Sequence, residues 1–378
     1  MPTATAAAAK SVSRRPALFL AAGILFLGGF MFSGCAPDNG ANPADAPRGS
    51  SFRDLFKPAD EEPPAVSAPK QHTAADAKEN FHIYLAFGQS NMEGQNWNGS
   101  SIVYNDAIPM TYKENVDPRF QVMAAVGGSY KITNSQNEQR VKGQWYKAVP
   151  PLVRSNTGLS PADYFGRTLA AGIPDADIKI GVIAVAVAGS AIEGFEKGSG
   201  ANDYFGKQES WMKNTAALYD NNPYNHLVTL AKEAQNAGVI KGIIMHQGES
   251  GAASGNWAQK VKGIYDNLLI DLGLPANSIP FIAGEPYGAA NNQNNAATVK
   301  GLTNTMNAKL PSGGNVAHVV SSAGCASGGD NLHFSYEGYK TLGERYGQKM
   351  LELNYKDPPP PVTPPPTTSI KNPTTRPD

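Results

Sequence analysis

Two cysteines, Cys35 and Cys325, in 378 residues exclude a disulfide framework as the main source of stability, and exclude a Cys-rich zinc site as well. Charge of either sign is not concentrated. The formal net charge is +0 and no run of Lys or Arg occurs, so a polyanion such as DNA has no basic patch to meet. The apolar stretch Leu18 to Phe32 falls short of the about 20 residues that a membrane-spanning helix requires. No internal repeat is detectable. What remains is ordinary for a globular protein with a real core: 41% apolar and 17% charged residues. The 29 prolines crowd near both ends, so the folded part is shorter than the chain.

The first segment reads as an export address. Lys10, Arg14 and Arg15 form a basic region, and Leu18 to Phe32 carries no charge. Phe32-Ser33-Gly34-Cys35 follows, small residues before a cysteine, and resembles the lipobox of a bacterial lipoprotein, with Phe32 standing where Leu is usual. That resemblance implies a signal peptide over residues 1–35, removal of that peptide, and acylation of Cys35 to give a membrane-held, exported protein. An uncleaved anchor or an ordinary signal peptide is the alternative. Ser13-Arg14-Arg15 fits a twin-arginine signal poorly because Pro16-Ala17 follows. Ala36, rather than Asp, after the cysteine is compatible with outer-membrane sorting.

Residues 36–79, rich in Ala, Pro, Asp and Ser, cannot bury enough apolar surface to offset chain entropy, and read as a flexible spacer. Residues 357–378, with Pro358-Pro359-Pro360-Pro361, read as a disordered or polyproline tail. One domain is left, residues 80–356. Within it, short β-branched runs start near Ile83, Ile178, Val239, Pro280 and Ala317. Helical patterns lie between or after them, from Pro161, His226, Trp257 and Tyr336. Alternation of this kind predicts a three-layer α/β/α sandwich around a mainly parallel sheet. Residues 96–160 read as irregular, with loops or small strands.

Ligands of such sheets bind beyond the C-terminal strand ends, so the residues that follow each strand carry the functional argument. After the first strand comes Gly88-Gln89-Ser90-Asn91-Met92; Ser90 here is either a residue aimed into the crevice or a helix cap. After the second comes Ala188-Gly189-Ser190, where a glycine lets the backbone N–H approach a ligand or simply makes a turn. After the third comes His246-Gln247-Gly248-Glu249, polar groups that need partners directly behind a buried run. Near the end, Asp330 precedes His333 by three residues, a spacing that lets the carboxylate hold the ring Nδ1–H and leave Nε2 outward, or that forms an Asx turn. Of the six histidines, only His246 and His333 fall at strand-end loops, and only His333 has an acid at that spacing.

Taken in order, these blocks resemble the SGNH-hydrolase superfamily, with its flavodoxin-like sandwich. More narrowly they resemble its branch of carbohydrate esterase family six acetyl xylan esterases and sialate O-acetylesterases, over Phe81 to Leu353. The resemblance implies Ser90 as nucleophile, His333 as base and Asp330 as the orienting acid, with Glu249 as the rival acid. It implies an oxyanion hole from the N–H groups of Ser90 and Gly189 and the side chain of Gln247. The second block departs from the family's Gly-Gly-Ser/Thr at Ala188. No metal or organic cofactor is implied. The expected substrate is an O-acetylated polysaccharide, xylan first, with sialate or another glycan as the alternative. The Gly-x-Ser-x-Gly elbow of α/β-hydrolases is absent because Met92 fills its last position. A different class is a non-catalytic carbohydrate-binding surface lipoprotein, whose groove Trp97, Trp145, Trp211 and Trp257 could line. Cys325 reads as a thiol without a role. The lipobox reading has a direct check: a palmitate analogue should label the wild type and not Cys35→Ser, and an unlabelled wild type overturns it.

Overall fold

The computed structural model describes residues 74–97, 102–103, 108–253, 255–288, 293–311 and 314–355. The signal segment with Cys35, most of the spacer with His72, and the Pro-rich tail lie outside these residues. Among the described residues no helix is long and apolar enough to cross a membrane. One boundary is corrected. The spacer reading ran to residue 79, but Ala74–Glu79 is a helix, α1. Its Ala, Lys and Glu residues are strong helix formers, a local preference that an argument from burial overlooks.

Strand β1 (Phe81–Gly88) runs into a single helical turn, α2 (Ser90–Glu93). A small pair, β2 (Asn96–Trp97) with β3 (Ile102–Val103), and the turn α3 (Met110–Lys113) follow. Next come β4 (Phe120–Met123), the antiparallel pair β5 (Gly128–Lys131) and β6 (Asn137–Arg140), and β7 (Trp145–Lys147). The second half alternates more regularly: α4 (Pro161–Gly172), β8 (Lys179–Ala186), α5 (Ser199–Gly206), α6 (Ser210–Ala217), α7 (Pro223–Ala234) and β9 (Val239–His246). It closes with α8 (Trp257–Asp271), β10 (Phe281–Gly284), α9 (Gln293–Lys300), α10 (Leu302–Met306), β11 (Ala317–Val320) and α11 (Tyr336–Asn354).

Seven strands form one sheet in the order β11-β10-β9-β1-β8-β4-β7, parallel throughout except for β7 against β4. The chain leaves β1 toward the β4 edge, returns to β8, then crosses to β9 on the other side. The strand order therefore reverses at β1, and the crevice opens beyond the ends of β1, β8 and β9.

Alternation along the strands sorts the core into two layers. On β1, Phe81, Ile83, Leu85 and Phe87 face one cluster with Leu227, Leu230, Ile264 and Leu268 of α7 and α8. Tyr84 and Ala86 face the other, with Phe165 and Leu169 of α4 and Tyr339, Leu342 and Tyr346 of α11. Both faces of the central strands are covered, which is why the sequence shows near-continuous apolar runs there. The three-layer expectation holds, and α11 occupies the predicted Tyr336–Asn354. The irregular reading of residues 96–160 missed that β4 and β7 extend the main sheet. Each is three or four residues long, too short for a two-residue period to stand out.

Helix α4 is fixed by a capping box that carries its own pH dependence. Ser160 Oγ accepts from the Ala162 N–H at 3.1 Å, and Asp163 Oδ2 accepts from the Ser160 N–H at 2.9 Å. Asp163 is fully buried and its Oδ1 has no partner among the described residues. Burial therefore pushes its carboxyl up to about 7, against the opposing pull of Arg167 and the Ser160 N–H. A carboxyl raised in the folded state holds its proton where the unfolded chain has lost it. This group's contribution to stability is thus complete below about pH 4 and is lost as pH rises through about 7. In thermal melts across that window, Asp163→Asn should lose less stability with rising pH than the wild type does.

Candidate active site

Of the residues singled out at the strand ends, Ser90, Gly189, Glu249 and His333 line one cleft of about 450 Å³, together with Arg154 and others. A larger groove of about 820 Å³, between α11 and β11, holds none of the residues singled out at the strand ends. Among the described residues no group of three or more His, Cys, Asp or Glu side chains is placed to hold a metal ion.

The turn that carries Ser90 depends on Gly88. A Cβ there would stand 2.0 Å from the His246 carbonyl oxygen, so only glycine lets β1 end against β9. The Gln89 N–H then donates to that carbonyl at 3.1 Å. Gln89 occupies the cap position of α2 and Ser90 is its first helical residue, so Ser90 is not the helix cap that a bland reading would make it. Its Oγ is 2.9 Å from His333 Nε2. The other ring nitrogen, Nδ1, is 2.6 Å from Asp330 Oδ2.

Asp330 is itself fixed. Its Oδ1 accepts from the backbone N–H groups of His333 at 2.8 Å and Leu332 at 3.0 Å. Partial burial works to raise this carboxyl, but the His333 backbone and ring and the Leu332 N–H outweigh it and hold it below the ordinary carboxylate range. An ionised Asp330 fixes the proton on His333 Nδ1 and leaves Nε2 free to accept from Ser90. That is the arrangement a serine nucleophile needs.

The Ser90 and Gly189 N–H groups have no backbone acceptor among the described residues, and both residues line the cleft. The third donor named from sequence stands elsewhere. Gln247 Nε2 donates to the Ser190 carbonyl at 2.8 Å, and its Oε1 accepts from Trp257 Nε1 at 3.0 Å. Gln247 is fully buried behind the cleft lining and anchors the Gly189–Ser190 turn, a correction to its reading as a direct oxyanion donor. Ser250 braces the same turn, donating from Oγ to the Gly189 carbonyl at 3.0 Å.

Glu249, the rival acid, faces a different histidine. Its Oε1 lies 3.1 Å from His246 Nε2 and accepts from Asn91 Nδ2 at 2.6 Å, while Oε2 is buried without a partner among the described residues. Burial would raise its carboxyl, but the His246 ring and the Asn91 amide hold it below the ordinary range. The remaining described histidines are tied up: His226 between Asp220 and the Ala125 carbonyl, His82 against Tyr355, and His318 on the Asn315 carbonyl.

Sequence reasoning gave no role to two further groups. Asn91 bonds to Glu249 and to the Leu332 carbonyl, and accepts from Tyr339, so it ties the Ser90 turn to the His333 loop. Glu93 and Arg154 form a buried ion pair at 2.7 Å in the cleft wall, where Glu93 also accepts from the Ala188 N–H at 2.8 Å. Asn91 sits inside a quoted block and was open to notice. Arg154, 61 residues from Glu93, carried no local signal.

Among solved structures, an Arabidopsis thaliana protein superposes with a TM-score of 0.51 at 20% identity, covering 72% of this chain and 98% of that one. A carbohydrate acetylesterase from Xanthomonas citri gives a TM-score of 0.47 at 17% identity, covering 72% of this chain and 56% of that one. The first likeness shows the fold. The model of a family described as carbohydrate esterase, sialic acid-specific acetylesterase, matches residues 80–352. A match of that extent makes the chain a member of this family of carbohydrate esterases, and thus a carbohydrate O-acetylesterase.

Proposed function

We propose that Ser90, His333 and Asp330 are the catalytic triad of this esterase, and that its substrate is a neutral O-acetylated polysaccharide, acetylated xylan first. The observation that carries the first part is the unbroken chain Asp330–His333–Ser90, at 2.6 and 2.9 Å, ending in the cleft beside two N–H groups with no backbone acceptor among the described residues. His333 takes the Ser90 proton as Oγ attacks the acetyl carbonyl. The N–H groups of Ser90 and Gly189 receive the oxyanion, where loss of one such donor typically costs about 10²–10³ in rate. The bond to the sugar oxygen breaks, and the sugar hydroxyl leaves with the proton from His333. Water, deprotonated by the same ring, then releases acetate from the acetyl-Ser90 ester.

The neutral substrate is supported by charge. Arg154 is the one Lys or Arg among the described residues lining the cleft, and Glu93 already neutralises it. The undescribed internal segments hold no Lys or Arg either. A sugar carboxylate would enter facing the anionic Glu249, with no unpaired Lys or Arg among the described lining residues to receive it. The family's description favours sialate as the second reading. On this reading the chain is exported and held to a membrane through acylated Cys35, with the spacer letting the enzyme reach a polymer.

Two measurements test the proposal. Ser90→Ala should abolish acetate release in a folded protein, and Asp330→Asn should lower kcat by about 10²–10⁴, with a smaller loss in Glu249→Gln. The reverse order of those two losses would make Glu249 the acid. Acetate release from acetylated xylan should exceed that from O-acetylated sialic acid at equal ester concentration, and the opposite preference overturns the neutral-substrate reading.

A further inference from the structure

We propose that Trp211 is the platform of a sugar-binding subsite directly beside the oxyanion donors, on which a neutral pyranose ring stacks while its acetyl group reaches Ser90. The inference rests on the catalytic reading of Ser90 given above.

Large apolar side chains left in water are few among the described residues, and Trp211, at 53% exposure, is the only tryptophan or other aromatic of that kind. It lies on α6, in the segment between β8 and α7, and lines the same cleft as Ser90 and His333. Its ring edge is close to the chemistry. A Cβ on Gly189 would stand 2.8 Å from the Trp211 ring, and Gly189 holds φ at +69°, a left-handed conformation that also favours glycine. The ring and the Gly189 N–H therefore belong to one surface.

The other tryptophans have different occupations. Trp257 is buried and donates to Gln247, and Trp145 packs on Phe81 with ring centroids 4.7 Å apart. Trp97 has a backbone in β2, but its side chain lies outside the described atoms. An exposed indole costs free energy in water unless it acquires a partner, and the weakly polar C–H face of a pyranose is a partner of matching size. Polar groups in the same cleft suit the ring's hydroxyls. Arg154 makes its bonds through Nε and Nη1, leaving Nη2 free of any bond among the described residues, and Asn156 is exposed. The indole supplies contact area and the guanidinium and amide supply direction, which is how sites of this kind fix a ligand.

The test compares two substrates of one chemistry: an acetylated xylo-oligosaccharide, and methyl acetate, which has no ring to stack. In Trp211→Ala the ratio of kcat/KM for the oligosaccharide to that for methyl acetate should fall by about tenfold or more, through KM, and Trp211→Phe should recover most of it. An unchanged ratio overturns the proposal, because a ring that only braces the Gly189 turn would penalise both substrates alike. A binding arm is independent of turnover. Folded Ser90→Ala should bind the acetylated oligosaccharide in calorimetry, and adding Trp211→Ala should weaken the Kd by about tenfold or more. Absence of binding in Ser90→Ala, or an unaltered Kd in the double variant, also overturns it. If binding depends on Trp211 while the wild type releases no acetate from any sugar, the catalytic reading fails and the subsite stands.

Discussion

The site depends on the side chain of Asn91, which is fully buried and has every hydrogen-bonding position occupied. Its Nδ2 donates to Glu249 Oε1 at 2.6 Å and to the Leu332 carbonyl at 3.1 Å. Its Oδ1 accepts from Tyr339 at 2.9 Å and from the Phe334 N–H at 3.4 Å. A carbonyl and a low-pKa carboxylate can only accept, and a backbone N–H can only donate, so the partners dictate which way the amide points. Leu332 and Phe334 flank His333. Asn91 follows Ser90. One amide thus fixes Ser90 and His333 relative to each other, across 243 residues of sequence. The bond between Ser90 and His333 is the consequence of that constraint.

Other buried polar groups serve the same end at a cost in stability. Glu249 Oε1 lies 3.1 Å from His246 Nε2 behind Asn91, and Glu93 with Arg154 forms a buried ion pair beside the Ala188–Gly189 turn. Two charges taken out of water seldom gain much over an apolar replacement, whereas removing one partner of such a pair typically costs about 3–5 kcal/mol. Their value here is positional. Glu93 accepts from the Ala188 N–H, and Arg154 donates to the Ala186 carbonyl at 2.9 Å. Together they hold the end of β8 and the turn that presents the Gly189 N–H.

The legible and illegible parts of this protein divide along a physical line. The sandwich was readable because strands buried on both faces must be apolar at nearly every position, as β1 and β8 are, and because α11 carries an apolar stripe over nineteen residues. Ser90, Gly189, Asp330 and His333 were readable because each directly follows a strand or precedes the last helix, where position in the chain implies position in space. Gln247 was misread for the opposite reason. Its place after β9 was clear, but whether its amide turned toward Ser90 or toward Ser190 depends on Trp257, ten residues on and packed inside the core. Arg154 belongs to an irregular stretch between elements, whose course no periodicity describes, and Trp211 to an eight-residue helix too short for its period to stand out.

On the proposed reading, these connecting segments are also where the substrate is chosen. The bonds of Asn91 set the distance from Ser90 to His333, and that distance suits any acetyl ester. Nothing in it distinguishes one alcohol from another. Discrimination has to come from the walls that the alcohol meets, and two of them come from connecting segments: residues 154–156 ahead of α4, and α6 between β8 and α7. The first contributes a guanidinium whose charge is already cancelled by Glu93, so it offers direction to hydroxyls with little net attraction for an anion. The second contributes an indole face beside the Gly189 turn. On the proposed reading, a cleft with a neutralised cation on one side and an apolar ring on the other is matched to a sugar that has hydroxyls at its edges, a hydrocarbon face and no charge.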